Sequence, residues 1–482
     1  MIRATTATWL NYATTLVFQI LFAARFGTTP VASAYVVTFV AAVSLGGPFV
    51  TTTLTIALPR MLDADGAFTR SAMRFLGAVC GLIMLTSLVV VLSSSPVAAL
   101  MAPVLAVAQS DLERLLALAG VFLAATALAG VLGTITLARG RRFLPAILPA
   151  VPSTIGAMYL LADGGATTGQ TLAAVTAGAL LQLAIMVIAV LRPIPRVIDA
   201  PPLQLGFVTF LTVSQLVLVG LLPVLQRVLA AAGDSAGPVR FDYAFRGVMA
   251  AQQLLIGGLL IAILPDWAAL HRRAAQIRIS VVHACIVGGF LLTTAATIAL
   301  VAAPSIVELI FQRGAFTARD SQAVAVLVRI LLPGFVAEGV TLIVFQGMFA
   351  IARNDLALRL GFVRVGLQLV LTLALGLALG STGVAIAYSV SLMVALVYAL
   401  VIGSQLGLLG GDDGHLMARS AYAWLLIVAA GAVVGTAGQA LPSWLGPGVV
   451  LLIALLSVRV FGLGGPLMRA FRAVPEGQPN DL

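Results

Sequence analysis

The sequence predicts an all-α polytopic membrane protein with about fourteen transmembrane helices. Of its 482 residues, 61% are hydrophobic and only 9% are charged, whereas a soluble domain has about 45–50% and 25%. The mean hydropathy is +1.11, and apolar runs of about 20 residues, the length of one span, recur along the chain. These values exclude a soluble enzyme, a solvated binding module and a disordered chain.

Each predicted helix is an apolar run bounded by a short polar connection. Segments 2 and 10 are longer than one span requires, so we expect them to tilt or bend. The fourteen segments are 5–26, 31–58, 72–93, 115–138, 144–163, 168–191, 206–231, 241–265, 280–302, 322–351, 357–379, 383–404, 420–441 and 444–463.

The distribution of arginine predicts the orientation. All 27 basic residues are arginine and the net charge is +10. Seventeen arginines lie at the termini and in the even-numbered connections, and five lie in the odd-numbered connections. The positive-inside rule therefore places both termini in the cytoplasm, which requires an even number of spans. Because the arginines follow this rule, no nucleic-acid partner is expected.

A weak internal repeat predicts the domain organisation. Segment 2 ends near Leu58-Pro59 and segment 8 near Leu264-Pro265, with the two prolines 206 residues apart. Six helices per repeat make the repeats parallel. We expect an N-terminal lobe at 1–199 (helices 1–6), a C-terminal lobe at 200–405 (helices 7–12), and helices 13–14 with a cytoplasmic tail at 406–482.

Several stretches carry a family resemblance. The most specific are Phe311–Asp320, which reads FQRGAFTARD, and the end of segment 10 from Met348 to Asp355. Asp242–Arg246, Arg25–Gly27 and Gly380–Ala385 add to it. Together they resemble the MurJ/MviN family of lipid-linked peptidoglycan-precursor flippases over nearly the whole chain.

The resemblance implies a fold of the multidrug/oligosaccharidyl-lipid/polysaccharide exporter type. Two six-helix lobes would enclose a central cavity that opens alternately to either side, and helices 13 and 14 would form a groove for a polyprenyl tail. The family's substrate carries a diphosphate, and its cavity is lined with arginines. The chain differs at Tyr12, Phe18, Gly46 and Gly47, where the family has arginines, and matches it at Arg246.

Four polar residues are the candidate substrate-binding residues: Arg246, Arg329, Arg364 and Gln215. The guanidinium of Arg246 could bind a diphosphate bidentately, or the side chain could extend to the headgroups. Arg329 and Arg227 lie in the outer thirds of their segments, and extension to the headgroups is the better interpretation of each alone. Arg364 could reach the inner interface or the cavity, and Gln215 could bind substrate hydroxyls or bridge helices.

Glu338 is the candidate coupling residue, because a charge inside a membrane is costly. It lies near the middle of segment 10, where it could couple transport to a proton or cation, or hold a cavity arginine. The alternative is a neutral, hydrogen-bonded structural acid. Arg329 is nine residues earlier, on the opposite face of a straight helix, so a direct pair is not expected. Gln368 and Thr372 occupy the family's polar positions of helix 11.

Two clusters are candidate hinges. Gly46-Gly47-Pro48 should weaken or break segment 2, and Pro333-Gly334 should let segment 10 open. A hinge would serve a rocking motion, whereas the alternative is close helix packing around a tolerated kink.

The function predicted from these observations is a MurJ-like, non-enzymatic flippase of the cytoplasmic membrane. It would move a polyprenyl-diphosphate-linked saccharide, first of all a peptidoglycan precursor, by alternating access. Expected partners are this substrate, membrane lipids and cell-wall synthesis proteins. No cofactor or metal site is expected, and coupling to an ion or to the membrane potential stays open. The alternatives are a polysaccharide-unit or multidrug exporter of the same fold, or a non-transporting scaffold of cell-wall assembly.

Overall fold

A computed structural model of the chain is almost entirely helical over the residues that it describes. Those residues are 2–54, 58, 61, 68–191, 197–198, 207–257, 267, 274–351, 353–406, 419–429 and 445–460.

The helices follow the predicted segments closely. They are α1 (Ile2–Phe26), α2 (Pro30–Thr52), α3 (Arg70–Leu92), α4 (Ser94–Leu105), α5 (Gln109–Ala138), α6 (Phe143–Ile147), α7 (Ala150–Ala162), α8 (Thr168–Val190), α9 (Phe207–Ala230), α10 (Gly237–Gln252), α11 (Ala274–Phe311), α12 (Ala318–Ala350), α13 (Asn354–Gln405), α14 (Arg419–Ala429) and α15 (Leu445–Val460).

Within the described part of the chain, nine helices are long and apolar enough to cross a membrane. The predicted class, an all-α polytopic membrane protein, is therefore confirmed. Segments 11 and 12 are two helices that meet at a kink at Gly380, where φ is +58° and ψ is −134°; both lie within the range labelled α13. Most of segment 13, Pro59 and the Leu264-Pro265 motif lie outside the described residues.

Two local differences have plain causes. Segment 5 is divided into α6 and α7 at Leu148-Pro149, because proline has no N–H to continue the ladder of the preceding turn. A further helix, α4, follows α3 directly and was not predicted. Its 12 residues are too few for a span, so no apolar run of span length indicates this helix in the sequence.

The chain divides into two compact units. Unit 1 comprises Met1–Tyr243, Phe311–Asp320 and Thr372–Val384, and unit 2 comprises Ala244–Ile310, Ser321–Leu371 and Ala385–Leu482. The lobe boundaries 1–199, 200–405 and 406–482 stay a prediction.

In unit 1, helix α5 packs against α2, α3, α4 and α8. A two-residue parallel ladder joins β1 (Phe68–Thr69) to β2 (Val197–Ile198), with Phe68 opposite Val197. In unit 2, Ile427 of α14 and Val450 of α15 are fully buried in a cluster with Phe290 and Ile298 of α11. The two C-terminal helices are therefore packed onto this unit through apolar side chains.

Candidate functional site

The buried polar centre of unit 2 is formed by Glu338, Arg364 and Tyr388. The Nη2 of Arg364 donates a hydrogen bond to Oε1 of Glu338, and the Tyr388 hydroxyl donates to Oε2. Tyr388 is buried, the Glu338 side chain is 16% exposed and the Arg364 side chain is 30% exposed. Both carboxylate oxygens are thus occupied by protein donors, while the guanidinium retains an accessible side.

Helix packing positions these three residues. Gly334 lies one turn before Glu338, and a Cβ atom there would be 2.8 Å from Cα of Ser389 and from Cε1 of Tyr388. Only glycine lets α12 approach α13 this closely, and this approach brings the Tyr388 hydroxyl within reach of Glu338.

The expected opening of segment 10 at Pro333-Gly334 is not seen, because α12 continues through both residues. Instead, the Ser389 hydroxyl donates to the carbonyl of Ile330 at 2.5 Å and accepts from the Gly334 N–H at 3.3 Å. The Ser389 hydroxyl therefore lies between the Gly334 N–H and the Ile330 carbonyl, which are the donor and acceptor of one regular hydrogen bond of the helix. The role of these residues as a hinge stays a prediction.

Arg246 is half-buried on α10, and its neighbour Phe245 packs edge-on against Tyr388, with ring centroids 5.4 Å apart. Arg329 is exposed, and its Nε donates to the carbonyl of Leu300 at 3.1 Å. As expected, Arg329 is not the partner of Glu338.

The remaining candidates lie on α13 and α9. Gln368 is buried and Thr372 is fully buried on α13. Among the described residues, no group is within hydrogen-bonding distance of the Thr372 hydroxyl. Gln215 is half-buried on α9. Their proposed roles in coupling and in substrate binding stay predictions.

The expected break in segment 2 is also not seen, because α2 runs through Gly46, Gly47 and Pro48 to Thr52. A Cβ atom on Gly220 of α9 would lie 2.7 Å from Cγ of Pro48. The cluster thus permits close helix packing, which was the alternative interpretation, and its role as a hinge stays a prediction.

Arg227 corrects a sequence expectation. It does not extend to the headgroups: its side chain and that of Asp242 are each 3% exposed, and Nη2 lies 3.0 Å from Oδ1 of Asp242. The guanidinium also lies over the Phe241 ring at 5.1 Å. Asp242, an acid near the start of an apolar segment and 15 residues later, was the signal in the sequence that could have indicated this pair.

The residues 311–320, called here the signature loop, dock on the turn after α1. The Ala315 N–H donates to the carbonyl of Ala24 at 2.8 Å, and the Thr28 hydroxyl donates to Oδ1 of Asp320 at 2.5 Å. Gly27 and Gly314 both have φ +57°, and a Cβ atom on Gly314 would lie 2.2 Å from the Ala24 carbonyl oxygen. The resemblance at Phe311–Asp320 therefore falls on a tightly packed loop.

Asp320 is the polar centre of this docked loop. Its Oδ2 accepts hydrogen bonds from the backbone N–H and the hydroxyl of Thr317, at 3.0 and 2.7 Å. Arg240 bridges it to a second acid, with contacts of 3.3 Å to Asp320 and 2.6 Å to Asp234. The Asp320 carboxylate thus stabilises the first turn of α12 and, through Arg240, joins the loop to α10.

Phe18, which occupies a position where the resemblance leads one to expect arginine, lies inside unit 1. Its ring centroid is 6.0 Å from that of Phe22 and 6.5 Å from that of Tyr35. All three side chains are at most 4% exposed. This position is therefore part of the apolar packing of unit 1.

Comparison with known proteins identifies the family and the fold. The family model "Lipid II flippase MurJ" matches residues 22–456. A solved lipid II flippase MurJ in an inward closed conformation has a TM-score of 0.75 and 15% identity, covering 96% of this chain and 99% of that one. A comparison with curated protein sequences finds no match.

Transporters of the MOP superfamily are also similar in fold. An inward-facing multidrug resistance transporter of the MATE family has a TM-score of 0.62 and 15% identity, covering 84% of this chain and 97% of that one. A MOP transporter from Pyrococcus furiosus Vc1 has a TM-score of 0.59 and 15% identity, covering 85% and 96%.

Proposed function

Because the chain belongs to the lipid II flippase MurJ family, we propose that it moves a polyprenyl-diphosphate-linked saccharide across the cytoplasmic membrane by alternating access. Lipid II is the first candidate substrate. The observation that carries the proposal is the Arg364–Glu338–Tyr388 centre, a half-accessible cation held inside a transporter fold.

Arg364 is the proposed diphosphate contact of unit 2. Among the described contacts, only its Nη2 donates a hydrogen bond to the protein, which leaves Nη1 and Nε for a ligand. A guanidinium presents its donors in a fork that matches two phosphate oxygens. The attraction is stronger in a site from which water is largely excluded.

Arg246 is the second proposed contact, since it matches the family's arginine of helix 8 and is half-buried. Its neighbour Phe245 contacts Tyr388, so a change at the centre can be transmitted to α10 by packing.

Glu338 is the proposed coupling group. As a carboxylate it neutralises Arg364 when no substrate is bound. If it takes up a proton, it loses the charge that holds the guanidinium, and Arg364 can turn to the diphosphate. Gln368 and Thr372 are the alternative coupling residues, because both are buried polar groups on α13.

The proposed location is the cytoplasmic membrane, with both termini in the cytoplasm, as the 17 and 5 arginines of alternate connections favour. The proposed role is transport without catalysis. Cell-wall synthesis proteins that make or consume the lipid-linked substrate are the proposed partners.

A leaflet-resolved assay of lipid II in cells that depend on this protein tests the function. Arg364→Ala and Arg246→Ala should each reduce flipping about tenfold or more, because a charge-assisted hydrogen bond contributes about 1.5–3 kcal/mol. Arg278→Ala, which removes an exposed arginine near the start of α11, is the matched control and should retain flipping. Normal flipping with alanine at both Arg364 and Arg246 would contradict the diphosphate assignment.

Multidrug export is the second candidate, favoured by the fold similarity to the MATE transporter. The same cells separate the two functions. Export predicts that depletion of the protein raises the accumulation of cationic dyes and leaves lipid II in its normal leaflet distribution.

A further inference from the structure

A cavity of about 1160 Å³ lies in unit 1, and none of the residues that line it belongs to the Arg364–Glu338–Tyr388 centre. It lies where α1 and α3 end and where α2, α5 and α8 begin. Because these helix ends belong to one end of the unit, the cavity is at a membrane surface. Its volume exceeds the roughly 300–1,000 Å³ of an ordinary small-molecule pocket.

One side of the cavity is charged. Arg25 comes from the last turn of α1, and Asp111 and Arg114 come from the first turns of α5. Both arginines are exposed, and among the described residues no acceptor takes a hydrogen bond from either guanidinium. The two cations therefore retain their donors for a ligand.

A second carboxylate lies close to Arg25. Asp163 accepts hydrogen bonds from the Gly165 N–H and the Tyr159 hydroxyl, each at 2.8 Å. These two hydrogen bonds, and then the charge of Arg25, hold the pKa of Asp163 below its usual range. The cations of the charged side suit a phosphate, and the nearby carboxylates suit a cationic group attached to it.

Part of the lining is apolar and leads away from the charges. It includes Val91 of α3 and Leu118 and Val121 of α5. Val121 is seven residues beyond Arg114, about 10 Å deeper along the helix, and is 40% exposed. On α3, Leu88 is 52% exposed, so the wall continues into the surface that faces lipid.

We propose that this cavity binds one membrane phospholipid, with the phosphodiester between Arg25 and Arg114 and an acyl chain along Leu118 and Val121. A phosphodiester supplies the acceptors that the two guanidinium groups lack. The acyl chain covers a wall that water would solvate poorly. The ligand is therefore amphipathic, with its charged end at the membrane surface.

The signature loop completes the site, because Ala315 lines the cavity and is held there by its hydrogen bond to Ala24. A ligand that needs this wall binds better when the loop is docked, so its binding must favour the docked loop by the same factor. The bound phospholipid thus stabilises one conformation of the loop at Phe311–Asp320.

Native mass spectrometry of the full chain in mild detergent tests the site, with dioleoylphosphatidylglycerol and dioleoylphosphatidylethanolamine as probes. Arg25→Ala and Arg114→Ala should each weaken the tightest phospholipid site about tenfold or more. Leu118→Trp, which fills the cavity and keeps the charges, should abolish that site. Arg141→Ala, an exposed arginine just beyond the other end of α5, is the matched control.

The outcomes are distinct. Equal losses with both phospholipids support recognition of the phosphodiester, and a loss confined to phosphatidylglycerol supports an anionic headgroup. Unchanged binding in all three cavity variants would overturn the proposal. Equal binding of dioleoylglycerol, which has no phosphate, or displacement of the phospholipid by a polyprenyl diphosphate would do the same. Neither result depends on whether the protein flips lipid II.

A last variant tests the coupling to the loop. Gly314→Ala should undock the loop and weaken the phospholipid site, although it changes no charge of the cavity. Unchanged phospholipid affinity in Gly314→Ala would show that the loop is not part of the site.

Discussion

Replacing Arg227 with alanine is expected to destabilise the protein by about 3–5 kcal/mol, the usual cost of removing one partner from a buried ion pair. The pair is well enclosed: both side chains are 3% exposed, and Nη2 lies 3.0 Å from Oδ1 of Asp242. The substitution removes the cation and leaves the carboxylate of Asp242 inside unit 1. Loss of the contact with the Phe241 ring adds to the effect.

Labelling of an introduced cysteine in unit 1 provides the assay. The native Cys80 and Cys285 are first replaced by alanine. In that background Ala129→Cys, at a fully buried position of unit 1, reacts with a thiol-reactive fluorophore only after this unit opens. Thermal unfolding in detergent, followed by labelling, should show a markedly lower midpoint for Arg227→Ala. Circular dichroism at low temperature should remain helical.

The controls separate the ion pair from the loss of a long side chain. Arg329→Ala removes an exposed arginine and should change stability by less than about 1 kcal/mol. The double variant Arg227→Leu with Asp242→Leu removes both charges and should recover most of the loss, since an apolar pair replaces a buried ion pair at little cost. A midpoint for Arg227→Ala equal to that of Arg329→Ala would refute the reasoning.

Three further predictions follow from single contacts. Gly314→Ala should destabilise the protein more than Gly140→Ala, as measured by their thermal midpoints. Both glycines have positive φ, but only at Gly314 would a Cβ atom meet a backbone oxygen, at 2.2 Å. Tyr388→Phe should reduce flipping, because Glu338 loses one of its two donors; unchanged flipping would argue against a role of this centre in transport. Ala318→Cys should react with an impermeant thiol reagent added to intact cells, and Arg141→Cys should not. Labelling of Arg141→Cys alone would contradict the orientation in which both termini are cytoplasmic.

Much of the fold was predictable because each span needs a long apolar run, and such runs can be identified directly in the sequence. Helix α4 was missed since a short helix needs no run of that length. Helices α2 and α12 continue through the two glycine-proline clusters, for which the structure gives a tertiary reason in α12. Glycine and proline weaken a helix in isolation, but Gly334 is packed against α13 and Ser389 bridges the ladder beside it.

The candidate site was predictable only in part. A carboxylate inside a membrane requires a partner, so Glu338 could be singled out, and Arg364 was among the candidates. Their pairing, and the Tyr388 hydroxyl, depend on the close approach of α12 and α13, which no spacing within one helix reveals. The expectation that Arg227 extends to the headgroups was wrong for the same reason. The position of a residue along its helix does not show whether a neighbouring helix supplies an acidic partner.

Away from the helix ends, the two units differ in the cations that are available for the proposed diphosphate. In unit 1, Phe18 is packed among aromatic rings, and a Cβ atom on Gly46 would lie 3.4 Å from Cβ of Ala127. Arg227 is paired with Asp242. In unit 2, Arg364 is 30% exposed and retains donors. Its anchor is the Glu338 carboxylate, which is the proposed coupling group. We therefore propose that recognition of the diphosphate and coupling both depend on one contact, between Arg364 and Glu338.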